Sequence, residues 1–537
     1  MTVHEWIFWL RRALLVLGTV HAVVQAQTLV HMLQLEGYHN KGYFSWCRHH
    51  AAKWLPLSRF AALLPLAVTG LTPLLPVTIP ERLGLILMAV SIAGLLISGL
   101  GALPRHAKKP LVYTRRVWRL LITYSVLLAV ILAAARFTRF WASPARASVT
   151  MLALILLVPL LVPLANLINL PLEHAIARHF VRDAQKIMRG RPDLIVIGIT
   201  GSYGKTSTKN FLHALLSTQY NVLMTPESYN TTMGVVRTIR ERLKPSHQVF
   251  IVEMGAKGVG EIKEICDIVH PTYGLLTSIG EQHLESFRSV ENIIKTKFEL
   301  ADAIPADGFI CVNADNEYIR GRAVTNTRTV TYGALPESDA DYRATGISAG
   351  QTGSRFTLTE PDGAQTEFST RLLGAHNIQN LAGCLALARE LGIPAIKLVY
   401  PVRLLKPVRH RLELLPNGFI DDAFNSNPAG FRSALDVLRG FEGQRVLVTP
   451  GMVELGEREA ALNEEMGAYA ATCCDLAVLV GEKQAGPLKK GLLGAGFDES
   501  KVYVAQSLSD GLAYLDTVPA DGARTVLLEN DLPDNYD

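Results

Sequence analysis

Cysteine is sparse and unpatterned, with six in 537 residues (Cys47, Cys266, Cys311, Cys384, Cys473, Cys474), no C-x-x-C pair and no metal-type spacing. A disulfide framework and a thiolate metal site are therefore not expected, and buried reduced thiols are. There is no long low-complexity tract and no internal repeat. Charge of one sign is scarce too: the net charge is +5, concentrated beside apolar runs, where anionic lipid headgroups account for it better than nucleic acid does. Beyond Arg178 no long hydrophobic run occurs, so any membrane segment must precede it.

Five such runs do precede it, near residues 13–33, 60–79, 83–103, 117–135 and 149–170. Each has about the 20 residues needed to cross roughly 30 Å of hydrocarbon. They predict an α-helical transmembrane domain over residues 1–175 with about five spans. Trp6, Trp9, Tyr113, Trp118 and Trp141 fit interfacial anchors. No small-residue site follows a short apolar core, so a cleaved signal peptide is not expected. Lys41, Arg48, Lys53 and Arg59 lie between runs one and two; Arg105, Lys108, Lys109, Arg115 and Arg116 lie between three and four. The other two loops hold Arg82 alone, and Arg136, Arg139 and Arg146. Positive charge favours the inner face, which predicts a multi-pass membrane protein with everything after run five in the cytoplasm.

After the membrane segment comes Gly198-Ile-Thr-Gly-Ser-Tyr-Gly-Lys-Thr-Ser207, preceded by the apolar Leu194–Ile199 and opening a helix-patterned stretch from Thr206 to Leu216. A strand, a glycine-rich turn and a helix start are what a triphosphate needs: backbone N–H groups surround the phosphates, the helix dipole favours anions, and Lys205 adds a cation. The usual leading glycine is replaced by Ile199, so the pattern is T-G-S-x-G-K-T/S. ATP is the expected ligand, with Gly201, Ser202, Gly204, Lys205, Thr206 and Ser207 around its phosphates.

Short apolar runs then alternate with helical patterns. Leu194–Thr200, Asn221–Thr225, Gln248–Met254, Tyr273–Ile279 and Phe309–Asn313 read as strands of a mainly parallel sheet, with an antiparallel excursion between Thr329 and Thr370. A second block begins near Gly418, with strands at Gly418–Asp421, Gln444–Thr449, Leu476–Gly481, Val502–Ala505 and Val526–Leu528. The expectation is a P-loop parallel-sheet domain over residues 190–415 and a smaller Rossmann-like α/β domain over 416–537. Ligands collect beyond the carboxyl ends of such strands, which singles out Asn230, Glu253, His283 and Lys297. Glu253 with the Thr206 hydroxyl supplies the hard oxygens that Mg²⁺ prefers.

Residues 194–530 resemble the Mur ligases of peptidoglycan synthesis, and within them the D-alanyl-D-alanine-adding branch. The resemblance rests on the P-loop, Ser228-Tyr-Asn-Thr-Thr-Met-Gly234, Glu253-Met-Gly-Ala256, His283-Leu-Glu285, Lys297-Phe-Glu299, His376-Asn-Ile-Gln-Asn380, Arg411-Leu-Glu413, Asp421-Asp-Ala-Phe-Asn-Ser-Asn-Pro428 and Met452-Val-Glu-Leu-Gly456. It implies a ligase that phosphorylates a carboxylate with ATP and joins it to an amine, releasing ADP and phosphate. It further implies Lys205 on the β- and γ-phosphates, Thr206 and Glu253 on one Mg²⁺, and His283 on a second. Asn230 and Asn380 would serve the adenine, and Arg411 and Asp421 the phosphate and ribose. Lys297 matches the lysine carbamylated by CO₂ in this family, with Lys295 the alternative by proximity. Lys205, Lys297 and His283 would then be the catalytic groups.

The chain departs from the family at its start, where a membrane segment replaces the domain that holds a uridine nucleotide. It departs again where Thr449-Pro-Gly-Met452 replaces Gly-Asp-Met, and where the end reads Leu528-Glu-Asn-Asp-Leu-Pro-Asp-Asn-Tyr536 in place of a Lys-Gly-Ser run. The expected partners are a carboxylate-bearing envelope precursor, one carried on a lipid included, an amino acid or dipeptide, and membrane lipid. A poly-γ-glutamate-type or folylpolyglutamate-type ligase, an ATP-driven transporter or flippase, and an inactive anchoring protein are the alternatives.

Overall fold

The computed structural model describes residues 3–531 apart from 55–56, 72–79, 102–109, 138–142, 228, 282–283, 352, 425, 454, 482 and 521. His283 and the loop cations Arg105, Lys108, Lys109 and Arg139 lie outside the described residues. The chain divides into a helical unit, residues 1–178, and an α/β unit, residues 179–532.

In the helical unit the five apolar runs fall on Val3–Leu35, Leu57–Leu71, Glu81–Gly101, Arg115–Phe137 and the first part of Pro144–Arg189. Among the described residues, three helices are long and apolar enough to cross a membrane, His4–Leu35, Arg115–Phe137 and Pro144–Arg189; Ala62–Leu71 and Arg82–Ser98 are apolar but shorter. Prolines break the backbone ladder inside the last helix, and side chains repair it. Pro163 has no N–H to offer the carbonyl of Pro159, and the Tyr43 hydroxyl donates to that carbonyl at 2.9 Å. Asn166 donates to Asn40 Oδ1 at 2.9 Å, and Arg119 forms a two-pronged bridge to Glu173 at 2.6 and 2.8 Å. Outward, the helix Arg115–Phe137 exposes Ile122, Val126 and Val130 by 59%, 56% and 60%, one apolar stripe at helical spacing.

The α/β unit holds two sheets. The larger comprises β1 (Ile195–Thr200), β2 (Val222–Met224), β3 (Val249–Glu253), β4 (Tyr273–Leu276), β5 (Phe309–Asn313), β6 (Arg328–Gly333), β7 (Tyr342–Gly350), β8 (Gly353–Thr359) and β9 (Gln365–Thr370), in the order β2-β3-β1-β4-β5-β6-β7-β8-β9. Its strands are parallel through β7, while β8 and β9 pair antiparallel. The mainly parallel sheet and its antiparallel excursion are thus both present, the excursion lying in β7 to β9. The local reason is a hairpin: Gly353, at φ +133°, turns β7 directly back into β8, and a turn this short cannot accommodate a crossover.

Strand β1 lies between β3 and β4, and the chain leaves it toward opposite edges, first to β2 and β3, then to β4 and β5. This switch opens a crevice at the carboxyl end of β1. The β1–β3 register sets Ile199 beside Glu253, and the β1–β4 register sets Thr200 beside Leu276. The buried helix Ala375–Glu390, with Leu381, Cys384, Leu385 and Leu387 fully enclosed, covers one face with the helix Lys205–Leu216. The smaller sheet joins β10 (Glu413–Leu414), β11 (Phe419–Asp422), β12 (Gln444–Thr449), β13 (Leu476–Val480), β14 (Val502–Ala505) and β15 (Arg524–Glu529) in the order β10-β11-β15-β12-β13-β14. It too is mixed, since the two-residue β10 runs antiparallel to β11.

Candidate functional site

The loop Gly201–Gly204 joins β1 to the helix Lys205–Leu216 through two glycines at positive φ, +152° at Gly201 and +79° at Gly204. Neither tolerates a side chain. A Cβ on Gly201 would sit 2.0 Å from Thr277 Oγ1, and one on Gly204 would sit 2.6 Å from Asn380 Oδ1. The segment after β4 clasps this loop: Ser202 N–H donates to the Ser278 carbonyl at 2.6 Å, and the Ser202 hydroxyl donates to the Gly280 carbonyl at 3.1 Å. Gly204→Ala should lose nucleotide binding and cost about 1–3 kcal/mol of stability, through backbone strain and a collision with Asn380. Thermal melting with and without ADP checks this.

Lys205 Nζ donates to the carbonyls of Gly201 and Ser202, at 2.7 and 2.9 Å. Burial pulls its pKa down to about 8, against the opposing pull of Glu253. The Thr206 hydroxyl donates to Glu253 Oε1 at 3.1 Å, and Asn230 Nδ2 donates to the same oxygen at 3.1 Å. Glu253 is buried, which alone pushes its carboxyl up; Lys209 and Lys205 outweigh this and hold it below the usual carboxylate range. Ser207 is buried beside them on the same helix.

From the smaller sheet, Arg411 packs its guanidinium 4.3 Å from the centre of the Phe424 ring and donates to Thr206 Oγ1 at 3.4 Å. Two further links join the sheets: Arg458 to Glu281 at 2.5 and 2.6 Å, and His376 Nδ1 to Ser433 Oγ at 2.6 Å. Lys297 is 3% exposed on the helix Val290–Ala303; burial first, then the Lys205 ammonium, pushes it well below the usual lysine range.

Lys205, Thr206, Asn230, Glu253 and Arg411 therefore converge, with Asn380 packed against Gly204 and Lys297 within electrostatic reach of Lys205. Asn230 was expected at the adenine beside Asn380. The structure bonds it to Glu253, at the carboxylate end of the site, because the backbone carbonyl of Asn230 also takes Gly255 N–H at 2.7 Å and docks that loop on the end of β3. Asp421 is engaged by His410 Nδ1 at 2.7 Å and by Ala423 N–H at 3.2 Å. Among the described residues no three His, Cys, Asp or Glu side chains form a metal cluster. The paired oxygens of Thr206 and Glu253 suit a hard cation nonetheless.

Two features escaped sequence reasoning. Lys209 is fully buried with Nζ 2.9 Å from Glu253 Oε2. Its signal was its position, three and four residues after Thr206 and Lys205 and so on the same helix face. The other is the buried pair Asp422 and Glu529, set side by side by the β11–β15 register. Burial pushes Asp422 up to about 6 and Glu529 well above its usual range, and Ser426 Oγ donates to Glu529 Oε1 at 2.6 Å. The folded pair holds protons more tightly than the unfolded chain, so stability is greatest below the ordinary carboxylate range and falls as pH rises through about 6 and beyond. Glu529→Gln should remove much of that slope and stabilise the protein at pH 8 relative to pH 5, read from melting at the two pH values.

A phosphate-cradling loop at the switch point of a mixed α/β sheet, approached by an arginine from a second sheet, defines a nucleotide-binding protein of two α/β modules. The family profile "Mur ligase middle domain" matches residues 199–388, and "Mur ligase, glutamate ligase domain" matches 410–528. Together these profiles take in more than half of the 537 residues, and the chain belongs to the Mur ligase family. It is 31% identical over 279 residues to a UDP-N-acetylmuramoyl-tripeptide–D-alanyl-D-alanine ligase from Bacillus subtilis, an alignment covering 51% of this chain and 59% of the relative. It is 29% identical over 379 residues to the enzyme of that name from Escherichia coli, covering 68% and 83%. MurF from Acinetobacter baumannii superposes with a TM-score of 0.60 at 26% identity, over 66% of this chain and 77% of that one. The chain thus spans less than two thirds of the length of the Bacillus relative. The N-terminal helical region is additional to the Mur ligase fold.

Proposed function

We propose that the chain is an ATP-dependent, ADP-forming amide ligase of the MurF type that extends a cell-envelope precursor. In this reading the N-terminal helices anchor it in the bacterial cytoplasmic membrane, with both α/β modules in the cytoplasm. The observation that carries the reading is the convergence of Lys205, Thr206, Asn230, Glu253 and Arg411 on one P-loop in a chain of this family. The exposed apolar stripe of Ile122, Val126 and Val130 supports the anchor.

A carboxylate oxygen of the substrate attacks the γ-phosphorus, and the bond to the β–γ bridging oxygen breaks to release ADP. The amine nitrogen then attacks the acyl carbon and loses a proton, and phosphate departs. The P-loop amides and Lys205 hold the phosphates, and Arg411 brings a second cation from the other module as the two close. Thr206 and Glu253 would hold one Mg²⁺ and, in the two-ion version, His283 and a carbamylated Lys297 a second; such ions neutralise charge on the transferring group. Lys297 suits carbamylation because burial favours its neutral amine, the form that adds CO₂. Asn380 beside Gly204 is read as an adenine contact, and Asp421 as a ribose contact after rotation away from His410.

The names of the relatives specify a UDP-muramoyl tripeptide and D-alanyl-D-alanine. The helical region in this chain favours a lipid-linked carboxylate instead. Full-length protein in vesicles, given ATP, Mg²⁺ and D-alanyl-D-alanine, should release ADP and phosphate with one of these two acceptors; AMP and pyrophosphate as products would exclude the reaction. Turnover with free glutamate as the amine would move the assignment to the poly-γ-glutamate class. Full turnover by residues 179–532 alone would remove any obligatory coupling to transport.

A further inference from the structure

Lys209 has no part in the chemistry above, yet it is 0% exposed and its ammonium group sits where an uncompensated charge would be most costly. Nζ lies 2.9 Å from Glu253 Oε2 and also donates to the carbonyl of Glu227. Glu227 is a non-glycine residue at φ +43°, in the turn between β2 and the helix Thr232–Arg242. The same turn carries Asn230, which returns to Glu253 Oε1, and begins at Thr225, whose hydroxyl accepts the Glu253 N–H at 3.1 Å. One buried cation therefore fastens both ends of an arrangement: the strand-end carboxylate and the turn that presents Asn230 to it. Lys205 does not duplicate this role, since its ammonium is directed at the Gly201 and Ser202 carbonyls.

We propose that Lys209 is a positioning residue of the nucleotide site, holding the Glu253 carboxylate and the Asn230 turn in one geometry so that Glu253 meets a magnesium–nucleotide complex already directed at Thr206. The inference rests on the reading of the P-loop as an ATP site. A carboxylate this deeply buried keeps its charge only beside a fixed partner, and removing one member of such a pair leaves the other uncompensated. Lys209→Met should therefore release the Glu253 carboxylate and the turn that carries Asn230 from their shared anchor without disturbing the loop amides that hold the phosphates.

The test is calorimetric titration of the full-length protein with ADP, with and without Mg²⁺. In wild-type protein, adding Mg²⁺ is expected to raise ADP affinity. In Lys209→Met that gain should fall about tenfold, and Lys209→Arg should restore part of it. ADP affinity without Mg²⁺ should change less than about threefold. A lysine that merely fills space would lower affinity equally with and without metal. If the wild type binds ADP with no response to Mg²⁺, the ATP-site reading itself fails. If it responds and Lys209→Met matches it, the role of Lys209 is overturned. Should Lys209→Met not fold, Lys209→Met/Glu253→Gln decides: a folded double variant supports the charge pairing, and an unfolded one overturns it.

Discussion

Replacing Lys205 by alanine should lower ATP-dependent turnover about a thousandfold while leaving the fold standing. Two features set the size of the effect. The ammonium is half-buried and desolvated enough to pull its pKa down to about 8, so water screens its attraction for the transferring phosphoryl group only in part, and removing a single such stabilising group costs about 10²–10³ in rate. Its bonds in the protein are to two loop carbonyls, so the loss of stability should stay within about 1–2 kcal/mol. Single-turnover ADP release measures the first quantity and thermal melting the second. In cells, the envelope precursor that accumulates behind Lys205→Ala, identified by mass spectrometry, should be the carboxylate substrate. A variant with wild-type turnover would remove the P-loop from the reaction.

Lys297→Ala should cost about 10²–10³ in rate, and added formate or acetate should restore part of it by returning an oxygen anion to the space. Burial and the neighbouring Lys205 make the ammonium form of Lys297 costly, and a neutral amine that captures CO₂ becomes an anion which that same cation favours. Carbon-13 spectra with labelled bicarbonate should show a carbamate carbon in wild type that is missing in Lys297→Ala. The pH dependence has a definite sign: as pH falls the amine is protonated and CO₂ is lost, so activity declines on the acid side and bicarbonate opposes the decline. Without CO₂, the folded state binds the Lys297 proton less tightly than the unfolded chain does. Stability therefore rises with pH from the depressed pKa up to the ordinary lysine range, and Lys297→Met should flatten that rise. Full activity in Lys297→Ala without added anion would end the carbamate proposal.

The strands at Phe309–Asn313, Gln444–Thr449 and Val502–Ala505 were legible to the residue, since each is a short apolar run bounded by turn signals. Strand β10 was not. Two residues carry no periodicity, and Glu413 and Leu414 pair only because β11 runs beside them. The helix Ala375–Glu390 shows the opposite failure, because it is enclosed on nearly every side and so lacks the polar face by which a helix is recognised. The bond from Asn230 to Glu253 could not be read from the sequence, since it depends on a turn folding back over the end of β3.

By itself the sequence determined the phosphate loop, the alternation that builds the sheets, the membrane-length runs and the membership of the Mur ligases, because each is written in neighbouring residues or in local periodicity. Only the tertiary structure decided which charges meet. Lys209 beside Glu253, Arg411 on Thr206, and Asp422 against Glu529 are pairs from different elements, brought together by strand order and register. Electrostatic energy depends on separation in space and on burial, and a linear chain states neither.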